Sequence, residues 1–370
     1  MTEEIIKLSF HFFIASFLMA VAVSPPLIVL LKKFGVVRHG ERDFSSLIKN
    51  RKSKLGTPIF GGIIIVAVVS IMTVLFNWHR ETTFVPIGAL WLSALLGGAD
   101  DLLNIFYTKE RHPRTLGRIL RLIKIHKEFK YRIYFAVSFP WQAYKRFFYL
   151  LGSHPGKGVQ AHEKILIQLV IGVIIAWWIS FKVEWTEVWL PWYGSIDLGY
   201  FIIPIILFLV VFMANAVNIT DGIDGLSAGT LIISYSAFFM IALQQESMDM
   251  SLLIAAVIGA LSGYLLFNIK PAKYQMGDVA SLGLGVLLAA IAFALDRAIL
   301  LPIIGMIFIV EICSVILQTG WKVLFGKRLL KMSPLHHHLE ISGKDEATIV
   351  MYAWTFAAIF ATVGVWLSLQ

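Results

Sequence analysis

Ten apolar runs, each near the roughly 17–25 residues that cross a bilayer, constrain this chain more than any other feature. They fall near residues 8–31, 57–77, 84–103, 164–181, 199–217, 226–244, 251–268, 279–296, 298–320 and 348–369. A segment in hydrocarbon must satisfy every backbone N–H and C=O internally, so runs of this length fold as helices. The expected fold is all-α: a polytopic membrane protein of about ten transmembrane helices, forming one integral membrane domain over residues 1–370. With 58% hydrophobic and 15% charged residues, the composition does not fit a soluble domain. Residues 1–7 carry Glu3 and Glu4 and no basic stretch, so the first run is expected to remain as a span. The single Cys313 rules out an intramolecular disulfide and any thiolate metal centre.

Orientation follows from Lys and Arg. Numbering the loops from an external N-terminus puts 28 of these residues on one side and 4 on the other, counting Lys164 at its span edge with the first group. By the positive-inside rule the crowded side is cytoplasmic, and both termini are external. The net charge of +9 is thereby explained by topology, with no nucleic-acid partner needed. The crowded side includes a long basic insertion, 104–163. Its Ile133–Phe139 stretch is too short and too closely flanked by Arg132, Lys145 and Arg146 to span. Residues 119–133 alternate apolar and basic positions as an amphipathic helix on the membrane surface would; a soluble basic loop remains the alternative.

On that side the polar exceptions gather. Asn215, Asn218, Asp221 and Asp224 recur every third residue where one span ends, with Gly222 and Gly225 able to turn them round one point. Asp100 and Asp101 end the third span, Asp278 opens the eighth, and His336, His337 and His338 lie in the last loop. Lys52 and Lys54 precede the second span. Each group has a plain structural reading, as a helix end, a turn, a surface loop or a topology determinant. Together they place five carboxylates at one membrane depth, and ionisable groups near hydrocarbon are costly enough to mark function. Oxygen donors without thiolates suit a hard cation such as Mg²⁺, and Mg²⁺ with Asp and Lys suits phosphoryl chemistry.

These motifs resemble the polyprenyl-phosphate N-acetylhexosamine-1-phosphate transferases, and within them the phospho-N-acetylmuramoyl-pentapeptide-transferase branch. The resemblance rests on Asp100-Asp101, on Asn215 to Gly225, on Met276-Gly277-Asp278 and on Pro334-Leu335-His336-His337-His338. Lys54-Leu55-Gly56-Thr57-Pro58 followed by Gly61-Gly62 resembles an early motif of that branch. It covers about 50 to 345 apart from the insertion. Departures occur at Ile59, Phe60, His162, Gln275 and Val279-Ala280.

The resemblance implies transfer of phospho-MurNAc-pentapeptide from UDP-MurNAc-pentapeptide to undecaprenyl phosphate, giving lipid I and UMP. It also implies Mg²⁺, a homodimer, and a cytoplasmic site in the bacterial inner (plasma) membrane. Under it Asp278 holds the metal with Asp221, and Asp100 and Asp101 serve the lipid phosphate. Asn215, Asn218, Asp221 and Asp224 hold nucleotide, metal or diphosphate. Lys54, Thr57 and Lys164 meet the substrates, and His336, His337 and His338 line the sugar-phosphate side. Two rivals stand beside it: a sister transferase using UDP-GlcNAc, and a cation-coupled secondary transporter. The latter expects ionisable groups near the midplane and repeated halves.

Overall fold

A computed structural model describes residues 2–38, 54–79, 82–106, 116–125, 127–150, 159–182 and 185–370. The sequence expectation of an all-α polytopic chain holds. Among the described residues eight helices are long and apolar enough to cross a membrane: α1 (Thr2–Lys33), α3 (Phe84–Phe106), α6 (Ala161–Phe181), α7 (Ile202–Thr220), α8 (Leu226–Gln244), α9 (Met248–Asn268), α12 (Met306–Phe325) and α14 (Glu346–Leu367). Two shorter apolar helices, α2 (Ile63–Phe76) and α10 (Asp278–Ala294), complete the ten runs. The boundary with the least connector in sequence is made by a 3-10 turn and the four-residue α11 (Leu301–Ile304). Short helices α4 (Leu116–Ile125), α5 (Phe129–Leu150) and α13 (Leu335–Ile341) lie between the spans.

The bundle is organised round α10. Every residue from Val279 to Phe293 is buried, and the helix packs chiefly against α3 and α7, with α2 and α8 behind. Lipid is as apolar as the helices, so such association needs close backbone approach through small residues. α10 supplies them, and so does α3: a Cβ on Gly97 would lie 2.0 Å from the Asp278 carbonyl oxygen. That approach places the α3 carboxylates beside the start of α10. The other large pairing, α1 on α9, uses Gly259 and Gly263, whose missing side chains admit the backbone of Phe13 and Phe17.

Connectivity then sorts the ends. The C-termini of α3, α7 and α9 and the N-termini of α2, α6, α8, α10 and α14 share one end of the bundle. At the other end sits a hairpin absent from the sequence expectation, β1 (Glu187–Leu190) antiparallel to β2 (Gly194–Asp197). Asp296 accepts the Trp189 N–H at 3.2 Å, and the Arg297 guanidinium lies 3.8 Å from the Trp189 ring centre.

In the insertion, the single amphipathic helix expected over 119–133 is two helices. α4 and α5 pack as a pair, tied where Arg132 Nε donates to the Ile123 carbonyl at 2.9 Å. α5 runs 22 residues without reaching the apolarity of a span, because Lys130, Arg132, Lys145 and Arg146 bracket its aromatic middle. Lys52 lies outside the described residues.

Candidate active site

At the end where the polar motifs converge, three helices contribute one ion cluster. The Lys164 ammonium, from the first turn of α6, lies 2.6 Å from Asp100 of α3 and 2.6 Å from Asp278 of α10. Asn218, near the end of α7, donates to the other Asp278 oxygen at 2.7 Å and to Ser281 at 2.9 Å. The second Asp100 oxygen accepts the Val159 N–H at 2.5 Å, so the chain leaving the insertion is fastened to this cluster.

Asp278 is the first residue of α10, one past the capping position, which Gly277 occupies; from sequence it could have been only a cap. Here it is not one. The Val279 N–H is taken by Asp101 at 3.1 Å, from the neighbouring α3. Asp101 fits there because Gly277 (φ 75) has no side chain; a Cβ on Gly277 would meet the Asp101 carboxylate at 2.6 Å. Asp101 thus caps α10 and frees Asp278. Asp100 and Asp101 are buried, whereas Asp278, Asp221, Lys164 and Asn218 keep some exposure toward solvent.

Asp221 ends α7 next to this cluster. Its carboxyl is pushed up to about 7, first by desolvation and then by the Asp278 charge, while the Gly277 N–H and Arg38 pull it down. Beyond Gly222 the chain turns, and Gly225 opens α8 in the left-handed region at φ 81. Asp224 faces a second set of partners: Lys54 at 2.9 Å and the Ala272 N–H at 3.1 Å. Lys54 also contacts Glu346, the first residue of α14, whose Oε1 accepts the Asp224 N–H at 3.0 Å. The spacing-of-three series therefore does not converge on one point. Asn215 points a turn deeper and donates to Gln168 of α6 at 2.7 Å, Asn218 meets Asp278, and Asp224 meets Lys54. The cause is α7 itself, which stays helical through Thr220 and turns only afterwards.

Thr57 sits in the strap before α2. Its carbonyl accepts the Arg38 N–H at 3.0 Å, and the Gly61 and Gly62 N–H groups donate to Gln275 and Met276, each at 2.9 Å. This strap holds the segment leading into Asp278. Gln275 also accepts from Arg38 Nη1 at 3.2 Å. The three histidines splay. His336 is buried against Glu311, with Nδ1 3.0 Å from Oε2; His337 meets Glu340 at 3.2 Å; His338 accepts the Lys331 N–H at 3.2 Å. Sequence reasoning left out Glu311, Glu346 and Gln168. Two of these carried a legible signal, because Glu311 stands alone inside one apolar run and Glu346 opens another.

The site fits a divalent cation by its donor chemistry. Asp278 and Asp221 offer carboxylate oxygens, neither donor is a thiolate, and the space between Asp100 and Asp278 already holds the Lys164 ammonium. No cluster of three or more His, Cys, Asp or Glu residues suited to a metal occurs among the described residues. Mg²⁺ is usually held by one or two carboxylates plus substrate phosphates, and Asp278 and Asp221 are two carboxylates.

Comparison with known proteins agrees with this geometry. The profile of Glycosyl transferase family 4 matches residues 156–296, the stretch holding Lys164, Asn218, Asp221 and Asp278. A phospho-N-acetylmuramoyl-pentapeptide-transferase of Caldanaerobacter subterraneus is 32% identical over 94% of this chain and 95% of its own length. One from Halalkalibacterium halodurans is 32% identical over 99% of this chain and 98% of its own length. One from Bacillus thuringiensis is 33% identical, covering 95% of each chain. With identity at that level sustained from end to end, and every motif residue set at one end of the bundle, the chain belongs to the phospho-N-acetylmuramoyl-pentapeptide-transferase family.

Proposed function

We propose that this chain moves phospho-MurNAc-pentapeptide from UDP-MurNAc-pentapeptide to undecaprenyl phosphate, releasing UMP and forming lipid I. The observation that carries this is the Asp100–Lys164–Asp278–Asn218 cluster, in a chain that aligns over almost its whole length with transferases of that name. Diphosphate cleavage needs charge neutralisation and in-line positioning more than covalent assistance. Mg²⁺, held by Asp278 with Asp221, would supply neutralisation of the donor diphosphate when bound. Lys164 and Lys54 bring cationic charge to this cluster, and both ammonium groups are held by carboxylates. Incoming phosphates compete for them, which frees Asp278 and Asp224. Asp100, paired with Lys164, would serve the lipid phosphate or its deprotonation, as the family resemblance implies. Asp101 keeps the start of α10 in place.

The site end is assigned to the cytoplasm of a bacterial inner (plasma) membrane, following the Lys and Arg distribution. In a Cys313→Ser background, an impermeant thiol reagent should label Tyr193→Cys in intact cells and Lys344→Cys only after lysis. Both positions are exposed, at opposite ends of the bundle. Labelling of Lys344→Cys in intact cells would invert the topology.

The donor is the less constrained part. His336, His337 and His338 favour the muramoyl donor through their resemblance to that branch. Gln275 stands where the branch carries an aromatic ring, and it pairs with Arg38 instead. Assayed side by side with undecaprenyl phosphate and Mg²⁺, UDP-MurNAc-pentapeptide should be used and UDP-GlcNAc rejected. Efficient transfer from UDP-GlcNAc alone would assign the chain to the sister reaction.

A further inference from the structure

Glu311 is a carboxylate within a membrane-spanning helix, 5% exposed, and the transfer reading gives it no role. A charge so placed is costly unless something is gained by keeping it. Its carboxylate faces the first turn of α13. The His336 backbone N–H lies 3.2 and 3.3 Å from its two oxygens, and the ring Nδ1 lies 3.0 Å from Oε2. A carboxylate oxygen accepts, so Nδ1 is placed to donate, and a ring with its one proton there presents a bare Nε2. That nitrogen is buried and has no hydrogen-bond partner among the described residues. It lies against Gly222, where an added Cβ would stand 2.1 Å from it. Gly222 follows Asp221 directly and opens the turn that carries Asp224. A continuous contact therefore runs from a carboxylate buried on α12, through one imidazole, to the turn bearing two site carboxylates.

We propose that Glu311 is a positioning residue. By fixing the ring and tautomer of His336, it sets the Gly222 turn, and with it the placement of Asp221 beside Asp278. A proton on Nε2 would point an unsatisfied donor at the Gly222 Cα, and the turn would have to move. Metal-site work gives a parallel, in that partners which orient a ligating group typically cost 10–100-fold when changed. The proposal uses the transfer reading only for its kinetic readout.

Glu311→Gln tests it with little change of shape. The amide oxygen keeps the His336 N–H, the amide NH₂ faces Nδ1, and the ring proton moves to Nε2. We expect kcat to fall about 10–100-fold, with KM for both substrates and thermal stability near wild type. Nitrogen-15 resonances of His336, identified by their loss in His336→Asn, should show the protonated nitrogen switching from Nδ1 to Nε2. Gly222→Ala should reproduce the kcat loss by forcing Nε2 off the turn. Combined with His336→Ala, which makes room for the new methyl, it should be no slower than His336→Ala alone. Wild-type kcat in Glu311→Gln or in Gly222→Ala would overturn the proposal, as would independent, multiplying losses in the double variant. If the wild-type chain shows no transfer at all, the transfer reading fails separately. The resonances still decide the contact, since an Nε2–H ring in the wild type would refute it.

Discussion

Asp278→Asn should abolish transfer and leave the fold intact. A residue at this position could be only a helix cap, and Asn caps as well as Asp, at about 1 kcal/mol. The structure removes that role, since Asp101 of α3 takes the Val279 N–H and Asp278 turns to Lys164 and Asn218. The amide keeps one oxygen for Asn218 but loses the charge that both Lys164 and a hard cation require. UMP release should fall by more than about 100-fold, beyond the usual cost of changing an outer-shell partner. The variant should still extract and elute as a folded protein, with some thermal stability lost, because Asp100 alone then holds Lys164. Near-normal turnover at limiting Mg²⁺ would take Asp278 out of the site.

Lys164→Met should do damage of a second kind. The ammonium lies 2.6 Å from two carboxylates and is 19% exposed, so it is a structural counter-ion as well as a phosphate partner. Breaking a buried ion pair by removing one partner costs roughly 3–5 kcal/mol, because the remaining charge is left uncompensated. Here two charges are left. The variant should lose both turnover and thermal stability in the absence of metal. Added Mg²⁺ should restore part of the stability, by replacing the missing cation between Asp100 and Asp278, while turnover stays low. Unchanged stability with normal activity would mean that Lys164 serves only the orientation of the helix.

The helices were legible because hydrocarbon leaves a chain few choices. Each apolar run of sufficient length became a helix, and even the crowded boundary at Leu295–Leu301 resolved into a turn rather than a merged span. The membership of the site was also legible, since Asp100, Lys164, Asn218, Asp221 and Asp278 are anomalies in apolar surroundings. Their division of labour was not. That Asp101 caps a helix belonging to another part of the chain depends on the α3–α10 approach at Gly97, which no local pattern encodes. Likewise the periodic Asn215 to Asp224 series looked like one cluster. α7 carries Asn215 to Gln168 and Asn218 to Asp278, and the turn after it takes Asp224 to Lys54, because those partners arrive from α6, α10 and the strap before α2. Glu311 was readable as a lone carboxylate inside an apolar run, and Glu346 as one at the start of another. Their partners, His336 and Lys54, are remote in sequence and come together only through packing. The α4–α5 pair was blurred because basic residues punctuate both helices, which hides the break between Ile125 and Phe129.

The account stands on one claim, that the end of the bundle holding Asp278 cleaves a nucleotide diphosphate for a lipid phosphate acceptor. Purified protein given UDP-MurNAc-pentapeptide and Mg²⁺ should release UMP only when undecaprenyl phosphate is added, in amounts equal to the lipid-linked product. UMP release independent of the lipid, or no release with both substrates and Mg²⁺ present, would contradict it.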